Sequence, residues 1–363
     1  MEIGVPREIK DQEFRVGLNP SSVKVLCSQG HQVFIEESAG EGSSFSNKDY
    51  EKVGAKITDR KFVWEKDLII KVKEPLAEEY SYFKKDQILF TYLHLAANRT
   101  LTEALVTSGI TAIAYETVAL EDGKLPLLTP MSIIAGRLSI QIGARYLEKQ
   151  QGGRGILLSG IPGVSSAQVV ILGGGVVGSE AARIALGMGA RVQIFDINVE
   201  RLRYLETIFG SRVELLHSNI YEIEKMIPKA DLLVGAVLIP GRRAPILVSK
   251  DLVSKMNPGS VIIDVAVDQG GCIETLKATS HSSPIYLEHN VVHFGVPNMP
   301  GAVPWTATQA LNNSTLPYVL KLANYGLEAL KKDTSLEKGL NIKDKSIVHP
   351  ALKEVFSDIS SNT

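Results

Sequence analysis

The feature that most constrains the fold of this chain is a glycine-rich segment that directly follows an apolar run. The run Gln168–Leu172 holds consecutive β-branched residues and predicts a buried strand. It leads into Gly173–Gly178, which has the pattern G-x-G-x-x-G, and the alanine-rich stretch Ser179–Gly187 predicts a helix. A second apolar run, Arg191–Phe195, ends at Asp196. This order of strand, glycines, helix, strand and acid is typical of a dinucleotide-binding βαβ unit.

Each position of this motif has a physical role. Gly173 permits the tight turn, Gly175 lets the backbone approach a pyrophosphate, and Gly178 lets helix and strand pack closely. The helix N-terminus offers unpaired N–H groups to the phosphates. Asp196 lies 18 residues after Gly178, where a carboxylate accepts hydrogen bonds from ribose hydroxyls and repels a 2′-phosphate. The motif therefore predicts NAD in preference to NADP. Arg201 either helps to hold the ribose or is a surface arginine.

Apolar runs of four to eight residues recur along the rest of the chain, separated by helical or turn-rich stretches. Their continuous apolar character favours strands buried on both faces, and the interleaved helices predict parallel sheets. We therefore predict an α/β fold with two Rossmann-like doubly wound domains, parallel sheets and long connecting helices. The runs are Gln32–Ile35, Leu68–Val72, Ile88–Leu93, Thr111–Tyr115, Val169–Leu172, Val192–Phe195, Leu232–Val237, Val261–Ala266 and Val291–Val296.

A length of 363 residues also favours two domains. Pro126 and Pro130 flank the predicted joint, and Met131–Gln150 has the pattern of a long helix. After about Trp305 we expect helical patterns only, at Thr308–Leu311 and Leu316–Leu330. The predicted division is a substrate domain at residues 1–126, an NAD-binding domain at residues 127–304, and a return to the substrate domain with a C-terminal tail at residues 305–363.

The composition argues against several other classes of protein. A formal net charge of −1 gives no field that would draw the chain to nucleic acid or to a membrane. The seven histidines show no metal-ligand spacing. Two cysteines, Cys27 and Cys272, are too few for a disulfide framework and indicate reduced thiols. The first residues do not resemble a secretory signal, and no run of about 18 apolar residues exists. We expect a cytoplasmic enzyme without a metal.

Four polar residues are candidates for the chemistry, and each has a structural alternative. Lys73 follows the run Leu68–Val72, and either holds a substrate anion or is a lysine whose stem lies along the apolar surface. His94 ends another run, and histidine is a residue type that can transfer protons near neutral pH, but a satisfied core histidine is an equal alternative. Asp268 follows Val261–Val267 before a glycine turn and is either a site carboxylate or a turn residue. Arg15 can bind a carboxylate or lie at the surface.

The chain as a whole resembles the alanine dehydrogenases, apart from about the last 25 residues. The resemblance is carried by short segments spread from the N-terminus to residue 304, and it is more specific than the glycine motif. They are Gly4–Glu8, Glu13–Val16, Lys71–Pro75, Phe90–Ala96, Ala114–Thr117, Pro130–Ser132, Ala135–Arg137, Gln151–Gly155, Val265–Gly271 and Asn298–Pro304.

The resemblance implies reversible oxidation of L-alanine by NAD to pyruvate, ammonium and NADH, in a homohexamer. It also implies that Arg15 and Lys73 bind the substrate and that His94 and Asp268 are the acid–base pair. The NAD contacts that it implies are Ser132, Gly173, Gly175, Val176, Gly178, Asp196, Arg201, Ser218, Val237, Leu238, Val265, Ala266, Val267, Asp268, Lys277, Val296, Pro297, Asn298 and Met299.

Two other functions share this sequence pattern. One is the NAD(H)-binding α subunit of a proton-translocating transhydrogenase, and the other is a nucleotide-sensing protein without turnover. Lys73, His94 and Asp268 together argue against both, because neither function needs an amino-acid site. Three positions depart from the expected alanine dehydrogenase pattern, namely Glu180, Pro297 and Trp305, and none of them is a proposed catalytic group.

Overall fold

Short apolar strands form two sheets in the computed structural model, which describes residues 1–237, 244–267 and 270–359. The strands are β1 (Glu2–Val5), β2 (Gln32–Glu36), β3 (Lys56–Thr58), β4 (Leu68–Ile70), β5 (Ile88–Thr91), β6 (Thr111–Ala114), β7 (Gln168–Leu172), β8 (Arg191–Asp196), β9 (Val213–His217), β10 (Leu232–Gly235), β11 (Val261–Asp264), β12 (Ile285–Glu288), β13 (Val291–Phe294), β14 (Leu340–Lys343) and β15 (Ser346–Ile347).

Helices connect these strands. They are α1 (Pro20–Ser28), α2 (Asn47–Glu51), α3 (Arg60–Val63), α4 (Arg99–Ser108), α5 (Thr129–Tyr146), α6 (Val176–Gly187), α7 (Val199–Phe209), α8 (Ile220–Met226), α9 (Lys250–Ser254), α10 (Pro304–Tyr325), α11 (Glu328–Lys332), α12 (Thr334–Lys338) and α13 (Pro350–Val355). Many begin at a side-chain cap: Asn19 Oδ1, for example, accepts the N–H of Ser22 at 2.9 Å at the start of α1.

The chain divides into two units, each with its own sheet. Unit 1 comprises Met1–Met131 together with the described residues from Gly301 onward, and unit 2 comprises the described residues of Ser132–Pro300. The sheet of unit 1 has the order β15-β14-β6-β5-β4-β1-β2-β3, in which β1 to β6 are parallel. The sheet of unit 2 has the order β12-β13-β11-β10-β7-β8-β9, in which only β12, among the described strands, is antiparallel to its neighbour.

Both sheets share the doubly wound strand order. The first strand of each unit, β1 or β7, lies between the second and the fourth, so the strand order reverses beside it. Folds of this kind bind ligands at this reversal, outside the carboxyl ends of the strands. The predicted α/β class with two Rossmann-like, mostly parallel sheets is confirmed, with antiparallel strands at one edge of each sheet.

The strand pair β14 and β15 contradicts the prediction that only helical patterns follow Trp305. The two strands form a hairpin through Asp344 and Lys345, which both have positive φ, and β14 pairs with β6. Two such residues favour the tight turn that matches the twist of paired strands. The strands are short and their ends are charged, which hides them from a search for apolar runs. Helix α10 is continuous where two helical segments were predicted.

Strand β1 was also missed, although it is central to the sheet of unit 1. Its four residues include three that are buried, and they pair with β2 on one side and β4 on the other. A run this short at the start of a chain resembles an irregular terminus. Its position places the segment that follows it, residues 6–19, at the carboxyl edge of the sheet.

Each unit has an apolar core on its sheet. In unit 2 the core includes Val170, Phe195 and Ile262, and in unit 1 it includes Trp64 and Leu89. Cys272 is fully buried in the core of unit 2, as expected for a small apolar residue, and both cysteines are free thiols. In the described part of the chain, no helix is both long and apolar enough to cross a membrane.

A buried cation, Lys71, lies at the carboxyl end of the central strand β4 in unit 1. The Nζ of Lys71 is 3.2 Å from a carboxylate oxygen of Glu8 and 2.9 Å from one of Glu79, and all three side chains are nearly inaccessible to solvent. Burial raises the pKa of Glu8 to about 7, although Lys71 acts to lower it. The ammonium group therefore offsets part of the cost of burying two carboxylates.

We expect Lys71→Ala to destabilise unit 1 strongly, because it leaves two buried carboxylates without their cation. Removing one partner of a buried ion pair typically costs about 3–5 kcal/mol. The measurement is the midpoint of urea unfolding followed by tryptophan fluorescence, since Trp64 and Trp305 both belong to unit 1. Lys52→Ala is the control, because Lys52 and Asp49 form an exposed ion pair and the midpoint should stay unchanged. Equal midpoints for the wild type and Lys71→Ala would contradict the prediction.

Candidate functional site

The glycine segment of unit 2 forms a tight turn between β7 and α6. Gly173 has φ +100°, in the region that favours glycine. A Cβ on Gly173 would lie 2.6 Å from the carbonyl oxygen of Ala236, and a Cβ on Gly178 would lie 1.8 Å from that of Gly173. A Cβ on Gly175 would meet no described atom within 4 Å. The first and third glycines are thus required by the packing of the chain itself, whereas the second faces space that a phosphate can occupy.

Asp196 and Arg201 both hold this turn in place. The Oδ2 of Asp196 accepts the N–H of Gly174 at 2.7 Å, and its Oδ1 accepts that of Asn198 at 2.8 Å. The guanidinium of Arg201 donates to the carbonyl oxygens of Gly174 at 2.5 Å and Gly175 at 3.3 Å. Each carboxylate oxygen of Asp196 keeps a further lone pair for a ribose hydroxyl. Arg201 is therefore bonded to the loop, and is not simply a surface arginine.

Other predicted cofactor residues lie at the carboxyl ends of neighbouring strands in unit 2. Ser218, just after β9, donates its backbone N–H to the carbonyl oxygen of Asp196 at 3.0 Å. Val237 follows β10, and Val265, Ala266 and Val267 follow β11. Leu238 and Asp268 lie outside the described residues. This arrangement fits NAD, because the open face of the turn and these strand ends share one edge of the sheet.

Most of the remaining predicted cofactor residues lie around the end of β13. Ser132 and Val176 are the exceptions. Val296 and Met299 are buried, Pro297 is half-buried, and Asn298 has a positive φ of 60°. The exposed Lys277 lies 3.6 Å from Glu288. Ser132 is half-buried in α5, and Val176 is the first residue of α6. These placements are compatible with cofactor contact.

Arg15 lies in the interior of unit 1 and not at its surface. Its side chain is 1 % exposed and forms two parallel bonds to Glu13, Nε to Oε1 at 2.7 Å and Nη2 to Oε2 at 2.5 Å. Nη1 is 3.1 Å from the sulfur of Met131. Arg15 also lines a cavity of about 500 Å³, together with Glu8, Lys10 and Glu13. The cavity contains several charged groups, which suits a small zwitterion.

Lys73 follows β4 closely and is half-buried. Its backbone N–H donates to Oε1 of Glu8 at 3.3 Å, and its Nζ lies 6.0 Å from the ring centre of Tyr92. Among the described residues, its ammonium has no hydrogen-bond acceptor or ion-pair partner. Burial, together with the nearby charge of Arg15, lowers the pKa of Lys73. A half-buried, unpaired cation at a strand end is more typical of an anion-binding group than of a solvated lysine.

His94 lies after β5 in an unusual backbone conformation. Its φ is +50° and its ψ is 38°, and its N–H donates to Oε1 of Glu116 at 2.6 Å. The imidazole stacks on the ring of Tyr92, with centres 6.1 Å apart and planes within 13°. Within the described part of the chain, neither ring nitrogen has a hydrogen-bond partner. The alternative of a satisfied core histidine therefore does not fit.

Tyr92, Glu8 and Glu116 belong to this region and were missed as candidates. Tyr92 packs between the rings of His94 and Tyr115, and its hydroxyl donates to the carbonyl oxygen of Leu127 at 2.6 Å. Glu8 and Glu116 come shortly after β1 and β6, as Lys73 and His94 come shortly after β4 and β5. The signal that could have found them is the same one, a polar residue after a buried strand.

Comparison with known proteins agrees with this architecture. The family described as "Alanine dehydrogenase/PNT, N-terminal domain" matches residues 4–135, and its C-terminal domain matches residues 139–350. An alanine dehydrogenase of Staphylococcus epidermidis is 53% identical over 360 residues, which cover 98% of this chain and 97% of that protein. A solved structure titled L-alanine dehydrogenase is 66% identical and superposes with a TM-score of 0.98, covering 99% of this chain and 100% of that one.

A more distant structural relative is a transhydrogenase from Sinorhizobium meliloti. It is 25% identical and has a TM-score of 0.83, over 97% of this chain and 100% of the other. Because both family domains together span nearly the whole sequence and relatives above 50% identity align over almost their full length, the chain belongs to the alanine dehydrogenase/PNT family.

Proposed function

We propose that the chain catalyses the NAD-dependent, reversible oxidative deamination of L-alanine to pyruvate, ammonium and NADH. The observation that carries this proposal is the similarity over the full length, 53% and 66%, to proteins named alanine dehydrogenase. The identity to the transhydrogenase is only 25%. The unpaired, half-buried Lys73 and His94 of unit 1 also favour the dehydrogenase, because a protein that only binds a nucleotide needs neither.

Arg15 and Lys73 bind the substrate in this proposal. Arg15 is held rigidly by Glu13, so the plane and direction of its guanidinium are fixed relative to a bound carboxylate or carbonyl oxygen. Lys73 contributes a positive charge that no described carboxylate pairs with directly. In a half-buried position this charge attracts an anion more strongly than it would in water. Together they favour a small substrate with a carboxylate next to the reacting carbon.

His94 and Asp268 transfer protons in this proposal. NAD, when bound by unit 2, would supply the acceptor for the hydride that leaves Cα of alanine. Addition of water to the resulting iminium carbon and release of ammonia each move a proton. The imidazole of His94 can accept and return such a proton, since its ring nitrogens have no partner within the described residues. Asp268 provides a carboxylate that stabilises the positive charge of the iminium.

Unit 2 binds the cofactor in this proposal. The N-terminus of α6 and the open face of Gly175 receive the pyrophosphate, while Asp196 binds the ribose and disfavours a 2′-phosphate. The remaining cofactor contacts come from Ser132, Ser218, Lys277 and the segments after β10, β11 and β13, which include Leu238 and Asp268. We further propose that the enzyme is cytoplasmic, with free thiols at Cys27 and Cys272, and that it assembles as a homohexamer.

The direct test is NADH formation from L-alanine at mildly alkaline pH. We expect turnover with NAD and much less with NADP. Turnover with L-alanine should exceed turnover with glycine or L-serine. His94→Ala and Asp268→Ala should each lower kcat by about 100-fold or more, because general acid–base catalysis typically contributes 10²–10⁴-fold. His217→Ala, a change at an exposed histidine, is the control. Normal NADH binding without alanine turnover would instead support the transhydrogenase-like or sensing alternative.

Gly178→Ala should weaken NADH binding, because its Cβ would collide with the carbonyl oxygen of Gly173 at 1.8 Å and displace the turn. The matched control is Gly187→Ala at the other end of α6, where a Cβ meets no described atom within 4 Å. The measurement is a fluorescence titration with NADH. We expect a loss of affinity of about 10-fold or more for Gly178→Ala, which corresponds to at least about 1.4 kcal/mol. Equal affinities of both variants would contradict this role of the turn.

Binding of pyruvate should weaken as the pH rises, because burial lowers the pKa of Lys73. Below this pKa the ammonium is charged and attracts the carboxylate, and above it the charge is lost. We expect the Kd of pyruvate, measured with NADH saturating and ammonium absent, to rise at a lower pH in the wild type than in Lys73→Arg, since arginine stays charged. Lys52→Arg is the surface control. Parallel pH curves for wild type and Lys73→Arg would exclude Lys73 as the titrating group.

A further inference from the structure

The backbone of His94 is held by a carboxylate that comes just after the neighbouring strand. We propose that Glu116 is the positioning residue for His94, fixing the main chain from which the imidazole projects. Both oxygens of Glu116 accept the N–H of Leu93, at 3.1 and 3.2 Å, and Oε1 also accepts the N–H of His94 at 2.6 Å. The inference deepens the proposed function, since it rests on the proton-transfer role given above to His94.

The conformation of His94 requires such a support. A residue with a Cβ is unfavourable at φ +50°, and it stays there only when its surroundings hold it. His94 lies between the end of β5 at Thr91 and the short 3₁₀ helix Leu95–Ala97. At such a junction neither the strand nor the helix supplies an acceptor for the N–H groups. The carboxylate of Glu116 supplies it, with the added strength of a charged acceptor.

The sheet itself brings Glu116 to this point. Glu116 lies in the 3₁₀ helix Tyr115–Thr117, which follows β6 directly. Strands β5 and β6 are parallel neighbours, with Thr91 opposite Ala114, so both chains leave the sheet at the same edge. The position of Glu116 is thus determined by strand pairing and not by a flexible surface loop.

The same arrangement occurs at the other proposed substrate residue of unit 1. Glu8, which follows β1, accepts the N–H of Val72 at 2.7 Å and that of Lys73 at 3.3 Å. Strands β1 and β4 are again parallel neighbours. The ends of β4 and β5, which adjoin and carry proposed site residues, are therefore each held by a carboxylate that follows the strand on their other side. This repetition indicates a device for placing site residues.

The imidazole depends on this support more than a bonded side chain would. Among the described residues its nitrogens have no hydrogen bond, and the contact that orients the ring is stacking on Tyr92. Stacking sets the plane of the ring, but not its position along the neighbouring ring face. If the N–H groups of Leu93 and His94 lost their acceptor, the backbone could leave the left-handed conformation and carry the imidazole with it.

The first experiment measures the backbone contact without any catalysis. Residue-resolved hydrogen exchange compares the wild type with Glu116→Ala and with the control Glu121→Ala, an exposed glutamate in the same segment. Loss of a charged acceptor should speed exchange at Leu93 and His94 by about 10-fold or more, whereas Glu121→Ala should leave both amides unchanged. Unchanged exchange in Glu116→Ala would overturn the proposal.

The second experiment is a double-mutant cycle on alanine oxidation. We expect Glu116→Ala to lower kcat by about 10- to 100-fold, because small displacements of a catalytic group have effects of this size, with the Kd of NADH little changed. In the His94→Ala background the same change should cost little further rate, since its target is gone. Glu116→Gln keeps one acceptor oxygen and the side-chain volume, so its kcat should lie between those of the wild type and Glu116→Ala. This variant keeps the test valid if Glu116→Ala folds poorly.

The outcomes separate this proposal from the proposed function. If Glu116→Ala lowered kcat equally in the wild-type and His94→Ala backgrounds, the positioning role would be overturned and the role of His94 would stay intact. Normal turnover of His94→Ala would overturn the role of His94 and, with it, the catalytic part of this inference. A wild type without alanine oxidation but with faster exchange in Glu116→Ala would refute the proposed function and still support the backbone contact.

Discussion

The structure depends on how the backbone N–H groups are satisfied where parallel strands end. A strand that leaves the sheet exposes donors that its neighbours no longer pair, and a buried unpaired donor is costly. In this protein carboxylates accept many of them. In unit 1 Glu8 and Glu116 do so after β4 and β5, and in unit 2 Asp196 bonds the glycine turn while the buried Asp264 accepts the N–H groups of Ala266 and Cys272. The carboxyl edges of both sheets are therefore fixed by built-in acceptors.

These structural carboxylates separate the groups that hold the fold from the groups that are open to ligands. Because Glu8 and Glu116 accept the main-chain N–H groups here, the backbone at Lys73 and His94 is held without hydrogen bonds from these two side chains. Both side chains accordingly lack hydrogen-bond partners within the described residues, although both are half-buried. A buried polar group without a partner is normally selected against. Its presence at a strand end therefore favours a ligand, and two such groups on adjoining strands strengthen the case.

The sequence allowed the fold class and the dinucleotide motif to be predicted, because both depend on local patterns. The turn around Gly173 and Gly178 is stabilised by Asp196 and Arg201, which lie within about 25 residues of it, and by packing against the end of the adjacent strand β10. Strands β1 and β14 were missed because their stability comes from neighbours distant in sequence, β4 and β6. The site residues Arg15, Lys73 and His94 were named, but Glu8 and Glu116 were not. Each follows a buried strand, but its role depends on N–H groups that are distant in sequence, so the sequence does not reveal that role. The predicted roles of the named residues remain predictions.

The charges of unit 1 indicate how the two proposed substrate-binding cations divide their work. Arg15 is paired in bidentate fashion with Glu13, so its net attraction for an anion is small, and its contribution is the fixed direction of its donors. Lys10 is likewise paired with Glu74. Lys73 has no such ion pair among the described residues and supplies the unbalanced positive charge, at the cost of a lowered pKa. Substitution of Lys73 should therefore change the electrostatic part of substrate affinity and its pH dependence, whereas substitution of Arg15 should mainly change the orientation in which the substrate binds. The partition of charge and direction between two cations lets a small zwitterion be attracted by one group and aligned by the other.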